Sequence, residues 1–224
     1  MATSKAKAEM QSEDTGADAP QEARAEVAYR YLRNAIFANE LPAGFQAAEN
    51  EIAAQLGMSR TPVHEAMARL QDEGFVQILP RKGILVRALS PADLLEIYDV
   101  LIAIEGAAAE RLAEGSDEAR SSTLDVLQAS TDAMASALRA SDLETWRIAD
   151  ERFHDALVEG CGNGRIKRMA ATVSGQSHRA RRLTLHLRPL PTASTAEHQA
   201  IMDAIQSGDA AAAANAARAH RRHA

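Results

Sequence analysis

Apolar positions recur at helical spacing along most of this chain, and the period changes in one place only. After twenty small and polar residues without periodicity, residues 21–39 carry Val27, Ala28, Tyr31, Leu32, Ala35 and Ile36 at helical intervals, which predicts a helix. Leu41-Pro42-Ala43-Gly44 breaks it. Glu49 to Leu56 predicts a second, shorter helix, with Ile52, Ala53 and Leu56 inward and Gly57 as C-cap. Thr61 as N-cap and Pro62 at the first helical position predict the start of a third. Its apolar stripe is Val63, Ala66, Met67 and Leu70, and Gly74 ends it. The period then shortens: Phe75 to Leu79 reads as a strand, Pro80-Arg81-Lys82-Gly83 as a turn and Ile84 to Val86 as the returning strand. Three helices and a β-hairpin predict a winged helix-turn-helix over residues 21–88, preceded by a disordered tail over 1–20.

Helical spacing resumes after a linker near 87–90 and continues to the end. Ser90-Pro91 caps a helix to about Glu114, Ser116-Asp117 starts one to about Ala140, and Ser141-Asp142 caps one to about Glu159. Gly160, Gly162 and Gly164 bracket a loop, and a long helix runs from about Arg165 to His186, where Pro189 and Pro191 stop continuation. Two shorter helices, about 194–206 and 210–222, flank Ser207-Gly208-Asp209. The expected fold is therefore mainly α, with the winged domain followed by an all-α bundle of six or seven helices over 89–224.

Composition narrows the function. Apolar residues are 46% and charged residues 25% of the 224, a globular profile. Aromatics at 4% argue against a stacking platform for single strands. One cysteine, Cys161, excludes an internal disulfide framework and a Cys-rich zinc site, and reads as a small residue packed near a helix end. Met1 to Lys5 leads into no apolar block, and no apolar run approaches the ~20 residues of a membrane span, so a cytoplasmic protein with no membrane partner is expected. The net charge is −6, yet residues 21–88 balance eight Lys/Arg against eight Asp/Glu. Nucleic-acid binding by bulk charge is thus unsupported and needs a locally basic face.

The helix-turn-helix supplies one. In that motif the N-terminal residues of the second helix meet base edges and phosphates in the major groove. Arg60 can fork onto a guanine edge or a phosphate, Ser59 and Thr61 offer hydroxyls, and His64 lies one turn further along. Arg81 and Lys82 at the wing tip can follow the backbone into the minor groove. The bland alternative is a solvated Arg60 and an ordinary hairpin, but the full order of elements favours double-stranded DNA as partner.

A second constellation lies in the helical region. Asp150 and His154, four apart, share a helix face. His198 lies ten residues before Gly208 and His220 twelve after it, so in an antiparallel hairpin both imidazoles stand ~15–18 Å from the turn and can face one another. Three neutral imidazoles and a carboxylate suit Zn²⁺, Ni²⁺ or a similar divalent ion. The alternative for Asp150 and His154 alone is a satisfied core histidine beside a surface acid. His178 and His186, among Arg179, Arg181, Arg182 and Arg188, read as a solvated cationic face. Gln176 and Ser177 read equally as effector-pocket residues or as water-facing ones, and Glu105 reads as an inter-helix salt bridge sooner than as a pocket acid.

Leu41-Pro42-Ala43-Gly44, Glu49-Asn50-Glu51-Ile52-Ala53, the run from Leu56 to Val76 (LGMSRTPVHEAMARLQDEGFV) and the Pro80–Gly83 wing together resemble the GntR family of bacterial transcription regulators over residues 22–88. The resemblance implies DNA contacts from Asn50, Ser59, Arg60, Thr61, His64, Arg81, Lys82 and Gly83. Relatives usually carry Arg where His64 stands, and often where Asn50 stands, which implies an operator shifted from the family norm. Residues 92–222 resemble the FCD ligand-binding domain of the family's FadR branch. Asp150-Glu151-Arg152-Phe153-His154, Glu197-His198 and Ala219-His220 match its metal-ligand pattern, and Asn163 falls at its common Asn. Leu101 stands where many relatives have an Arg that grips a carboxylate, while Tyr98 and Glu105 are kept.

The expected function is a homodimeric regulator, most often a repressor in this family, controlled by a small carboxylate-containing metabolite at the metal. Two alternatives stay open: the metal itself as signal, and a metalloenzyme joined to a DNA-binding domain. The second lacks an HExxH-type motif, and Glu151, next to Asp150, points off the shared face.

Overall fold

In the computed structural model, which describes residues 21–187 and 190–223, the chain divides into two compact units at Ala88/Leu89. The expected tail over 1–20 lies outside the described residues.

The first unit contains α1 (Gln21–Phe37), β1 (Gln46–Ala47), α2 (Glu49–Leu56), α3 (Arg60–Asp72), β2 (Val76–Leu79) and β3 (Gly83–Val86). Ala28, Leu32 and Ile36 of α1, Ile52 and Leu56 of α2, Val63, Met67 and Leu70 of α3, and Phe75, Val76, Ile84 and Val86 close one apolar core. The left-handed Gly57 that ends α2 sets the turn into α3.

The expected hairpin is present and extended by one strand, and the expected N-cap of α3 needs correction. The hairpin is part of a three-stranded antiparallel sheet of order β1-β3-β2, in which Gln46 pairs with Leu85 and Ala47 with Ile84. Two residues are too few for periodicity to reveal β1. Its approach explains Gly83, because a Cβ there would collide with the backbone oxygen of Ala47, and the φ of +88° already favours glycine. The N-cap of α3 is Ser59, so Pro62 is the third helical residue. Proline is tolerated there because the first four helical N–H groups have no partner within the helix.

The second unit holds α4 (Pro91–Ala113), α5 (Asp117–Arg139), α6 (Leu143–Gly160), α7 (Gly164–Thr184) with a 3₁₀ turn at Leu185–Leu187, α8 (Ser194–Gln206) and α9 (Ala210–His223). Their starts are chemically marked. Ser90 accepts from the Asp93 amide while the Asp93 carboxylate accepts from the Ser90 amide, and Asp142 and Asn163 cap α6 and α7. Helix α4 packs on α9, α7 and α6, and α5 packs on α6 and α8. Gly106 permits the α4–α9 approach, since a Cβ on it would overlap the Arg218 side chain of α9. The main core gathers Leu112, Leu127, Met134, Phe153, Leu157, Ile201 and Ile205. Cys161 is buried just beyond α6.

Candidate functional site

Helix α6 carries Asp150 and His154 one turn apart, and α8 and α9 fold back across Gly208, which has φ +72°. The hairpin brings His198 Nε2 to 3.1 Å from His220 Nε2, and His220 Nε2 to 3.3 Å from His154 Nε2. Asp150 completes the group, with Oδ2 3.8 Å from His154 Nε2 and Oδ1 3.8 Å from His198 Nε2. All four residues are buried, and one ligand atom from each falls within 4.8 Å of the others.

The outer atoms explain why the Nε2 atoms face inward. His154 Nδ1 lies 2.9 Å from Glu105 Oε2, and His220 Nδ1 lies 2.7 Å from Glu197 Oε2. Each carboxylate accepts a hydrogen bond from Nδ1–H, the tautomer that leaves the Nε2 lone pair aimed at the common centre. Glu105 is itself held by Arg221, whose Nε donates to Oε2 at 2.7 Å and whose Nη2 donates to Oε1. The inter-helix salt bridge expected of Glu105 is therefore present, together with a contact to His154 that the sequence did not suggest. His198 stacks on Phe153 with ring centroids 4.0 Å apart, and its buried Nδ1 has no protein partner.

The electrostatics favour deprotonated ligands. Burial pushes His198 down to about 3 and holds His154 well below the ordinary imidazole range, with His220 lowered too. Burial alone would raise Asp150, but the permanent charge of Arg181, with Arg221 behind it, outweighs it and keeps the carboxylate ionised. With their Nδ1–H groups held by acids, His154 and His220 turn Nε2 lone pairs to the centre, and His198 Nε2 and the Asp150 carboxylate stand beside them as further donor atoms. The donor set therefore fits a divalent metal, and the cluster can hold one.

A cavity of about 450 Å³ adjoins the cluster, lined by Asp150, His220, Arg181, Trp146, Leu143 and Leu185 among others. Trp146 Nε1 donates to Ser194 Oγ at 3.2 Å on its wall. Gln176 and Ser177 do not line this cavity; Ser177 is buried and its Oγ has no protein partner. The solvated cationic face expected on α7 also needs correction. His186 and Arg182 are exposed, but Arg179 and Arg181 are buried, and burial pushes His178 down to about 4. Arg181 reaches Asp150, a partner 31 residues away that only the packing reveals. Leu101 is fully buried. Glu151 is turned to Arg147, away from the cluster.

In the first unit, Asn50, Arg60, His64, Arg81 and Gly83 surround one depression of about 250 Å³. Ser59, Thr61 and Lys82 are exposed but do not line it. Glu49, not among the residues expected to contact DNA, lies between Arg60 (Nε–Oε1 3.2 Å) and His64 (Nδ1–Oε2 3.4 Å). Arg81 adopts φ +64° at the wing tip.

Comparison with known proteins joins these two units. The gntR family of bacterial regulatory proteins matches residues 24–86, and the FCD domain matches residues 96–223. The chain belongs to the GntR family, with an FCD domain. An uncharacterised HTH-type transcriptional regulator in the TAR-I ttuE-ttuC' intergenic region of Agrobacterium vitis is 58% identical over 60% of this chain and 79% of its own length. The probable D-xylose utilization operon transcriptional repressor of Paenarthrobacter nicotinovorans is 31% identical over 75% of this chain and 73% of its own. A putative GntR regulator from Rhodococcus has the same fold, with TM-score 0.70 at 22% identity, covering 90% of this chain and 95% of that one. This GntR protein is a DNA-binding transcription regulator, and its FCD domain implies a small-molecule ligand. Both matched families are regulatory, not enzymatic. Among the described residues no helix is long and apolar enough to cross a membrane.

Proposed function

We propose that this regulator is a homodimeric repressor that holds a divalent cation, Zn²⁺ or Ni²⁺, through Asp150, His154, His198 and His220. A small carboxylate-containing molecule in the adjoining cavity then controls its hold on a pseudo-palindromic operator. The observation that carries the reading is the convergence of three imidazole Nε2 atoms and a carboxylate, each histidine but His198 oriented by its own acid. A bound cation would supply a fixed positive charge with positions open to an anionic ligand. The chain's own residues do the rest. Glu105 and Glu197 hold the tautomers, Arg221 holds Glu105, and Phe153 fixes the His198 ring.

Repression is supported by the Paenarthrobacter relative, a probable transcriptional repressor. Operator reading falls to Arg60, His64 and Asn50 in the groove, with Ser59, Thr61, Arg81, Lys82 and Gly83 on the backbone or wing. The test is elemental analysis of the gently purified chain, combined with binding to a duplex selected from random DNA. About one divalent ion per chain is expected, together with a carboxylate-dependent change in DNA affinity that chelation removes. A folded protein without metal that binds its duplex identically with and without chelator overturns the proposal.

A further inference from the structure

Arg181 stands on the boundary between the cluster and the cavity. Its Nη1 donates to Asp150 Oδ2, the same oxygen that lies 3.8 Å from His154 Nε2. Its Nη2 lies 3.5 Å from the Tyr98 hydroxyl, and its side chain is a wall of the cavity. Both members of the Arg181–Asp150 pair are buried. A cation entering the cluster must therefore share with Arg181 a carboxylate that water does not screen.

The charges around the cluster show the consequence. Asp150, Glu105 and Glu197 are the acids; Arg181 and Arg221 are the permanent cations. Arg221 is committed to Glu105 at two positions, and Glu197 accepts from both His220 and His223. The five charges sum to −1, and a divalent cation turns the sum to +1. Of the two arginines only Arg181 lines the cavity, beside Asp150 and Glu197, so a divalent cation turns the charge of that wall from −1 to +1. A guanidinium beside a cavity is the natural partner of a planar carboxylate, which it can bind through two parallel N–H bonds. Leu101, buried and apolar, offers no such group.

We propose that Arg181 couples metal occupancy to anion recognition: it pairs with Asp150 in the metal-free chain and turns to a carboxylate in the cavity when a divalent cation takes Asp150. This rests on the metal reading above. It implies that metal and anion strengthen each other's binding by the same factor.

The test uses the full-length chain, Zn²⁺ alone, and Zn²⁺ with acetate against chloride at matched ionic strength. Trp146, the single tryptophan and a wall of the cavity, serves as local reporter. Removing the competing guanidinium by Arg181→Gln is expected to tighten Zn²⁺ binding about tenfold in chloride, the scale of substitutions beside metal ligands. The same variant should lose the gain in Zn²⁺ affinity that acetate gives the wild type. Asp150→Asn provides a second arm, because Arg181 is then free of its partner. With a chelator present, acetate should change Trp146 emission in Asp150→Asn and not in the wild type.

Wild-type Zn²⁺ binding that Arg181→Gln leaves unaltered, with the acetate gain intact, overturns the coupling and leaves the metal site standing. No change of Trp146 emission by acetate in a folded Asp150→Asn protein also overturns the coupling. A wild type that takes up no Zn²⁺ overturns both readings together.

Discussion

The two units keep their chemistry in opposite places. In the winged unit the core is apolar, and Arg60 and His64 stand with 67% and 60% of their side chains exposed. In the helical unit the charged groups are inside: among the described residues, every buried charged residue, from Glu105 to Arg221, belongs to it. A surface that reads DNA can vary at little cost to folding, because water screens each group. A buried cluster binds its stability to its function, since removing one partner strands another away from water.

The sharpest break of this comparison is His198→Ala. Loss of a cluster ligand is expected to cut metal affinity by at least ~10²-fold, beyond the range typical of outer-shell residues. DNA binding by the metal-free chain should stay intact. Metal retained by His198→Ala, measured by competition with a chelating dye, would place the site elsewhere.

Next in size is Glu105→Ala, which leaves Arg221 buried without its carboxylate and frees His154 Nδ1. A loss of about 3–5 kcal/mol is expected in urea unfolding of the metal-free protein. Leu70→Ala, in the apolar core of the winged unit, should cost a similar ~2–5 kcal/mol by leaving a cavity, with metal affinity unchanged. Equal loss of metal affinity in both variants would mean that the units do not separate core from site.

Acid distinguishes the units further. Unfolded histidines take up protons as the pH falls through their ordinary 6.5, whereas folded His198 resists down to about 3. The stability that neutral His198 holds is therefore complete above 6.5 and lost progressively between those values, by about 1 kcal/mol per pH unit, and His154 and His220, also lowered, act in the same direction. No histidine is buried among the described residues of the winged unit. The metal-free helical unit should thus unfold first on acidification, seen as a Trp146 transition preceding loss of DNA binding. Coincident transitions would contradict this.

The smallest effect is expected at the DNA face. Arg60→Ala should weaken a selected duplex by ~1–3 kcal/mol and relax one base per half-site, while thermal stability moves little because the Glu49 pair is exposed. Lys82→Ala should weaken all duplexes evenly. Full specificity in Arg60→Ala would remove α3 from the groove.

Local chemistry made much of this legible. The stripe from Val63 to Leu70, the cap at Ser90 with Pro91 and the turn at Gly57 each act within a few residues, so spacing alone reveals them. The four cluster residues were legible for the same reason. Two share a helix face, and two flank a short turn at matched heights. Strand β1, with two residues, was too short to announce itself, and α3 begins after Ser59 without a side-chain cap bond, so cap chemistry did not mark its start.

The chain's order of residues thus determined the elements, their ends and the types of donor available, because those depend on contacts within one or two turns. Tertiary packing alone decided which charges meet. Arg181 looks like one more basic residue on α7, and only the approach of α6 makes it the partner of Asp150. Glu105 and Arg221 meet across 116 residues, and Glu49 comes between Arg60 and His64 only once α2 and α3 have packed. Such pairs follow from long-range geometry, whether in a water-excluded interior, where a few ångströms decide if a charge is stabilised or stranded, or on a solvated face, and no local period records them.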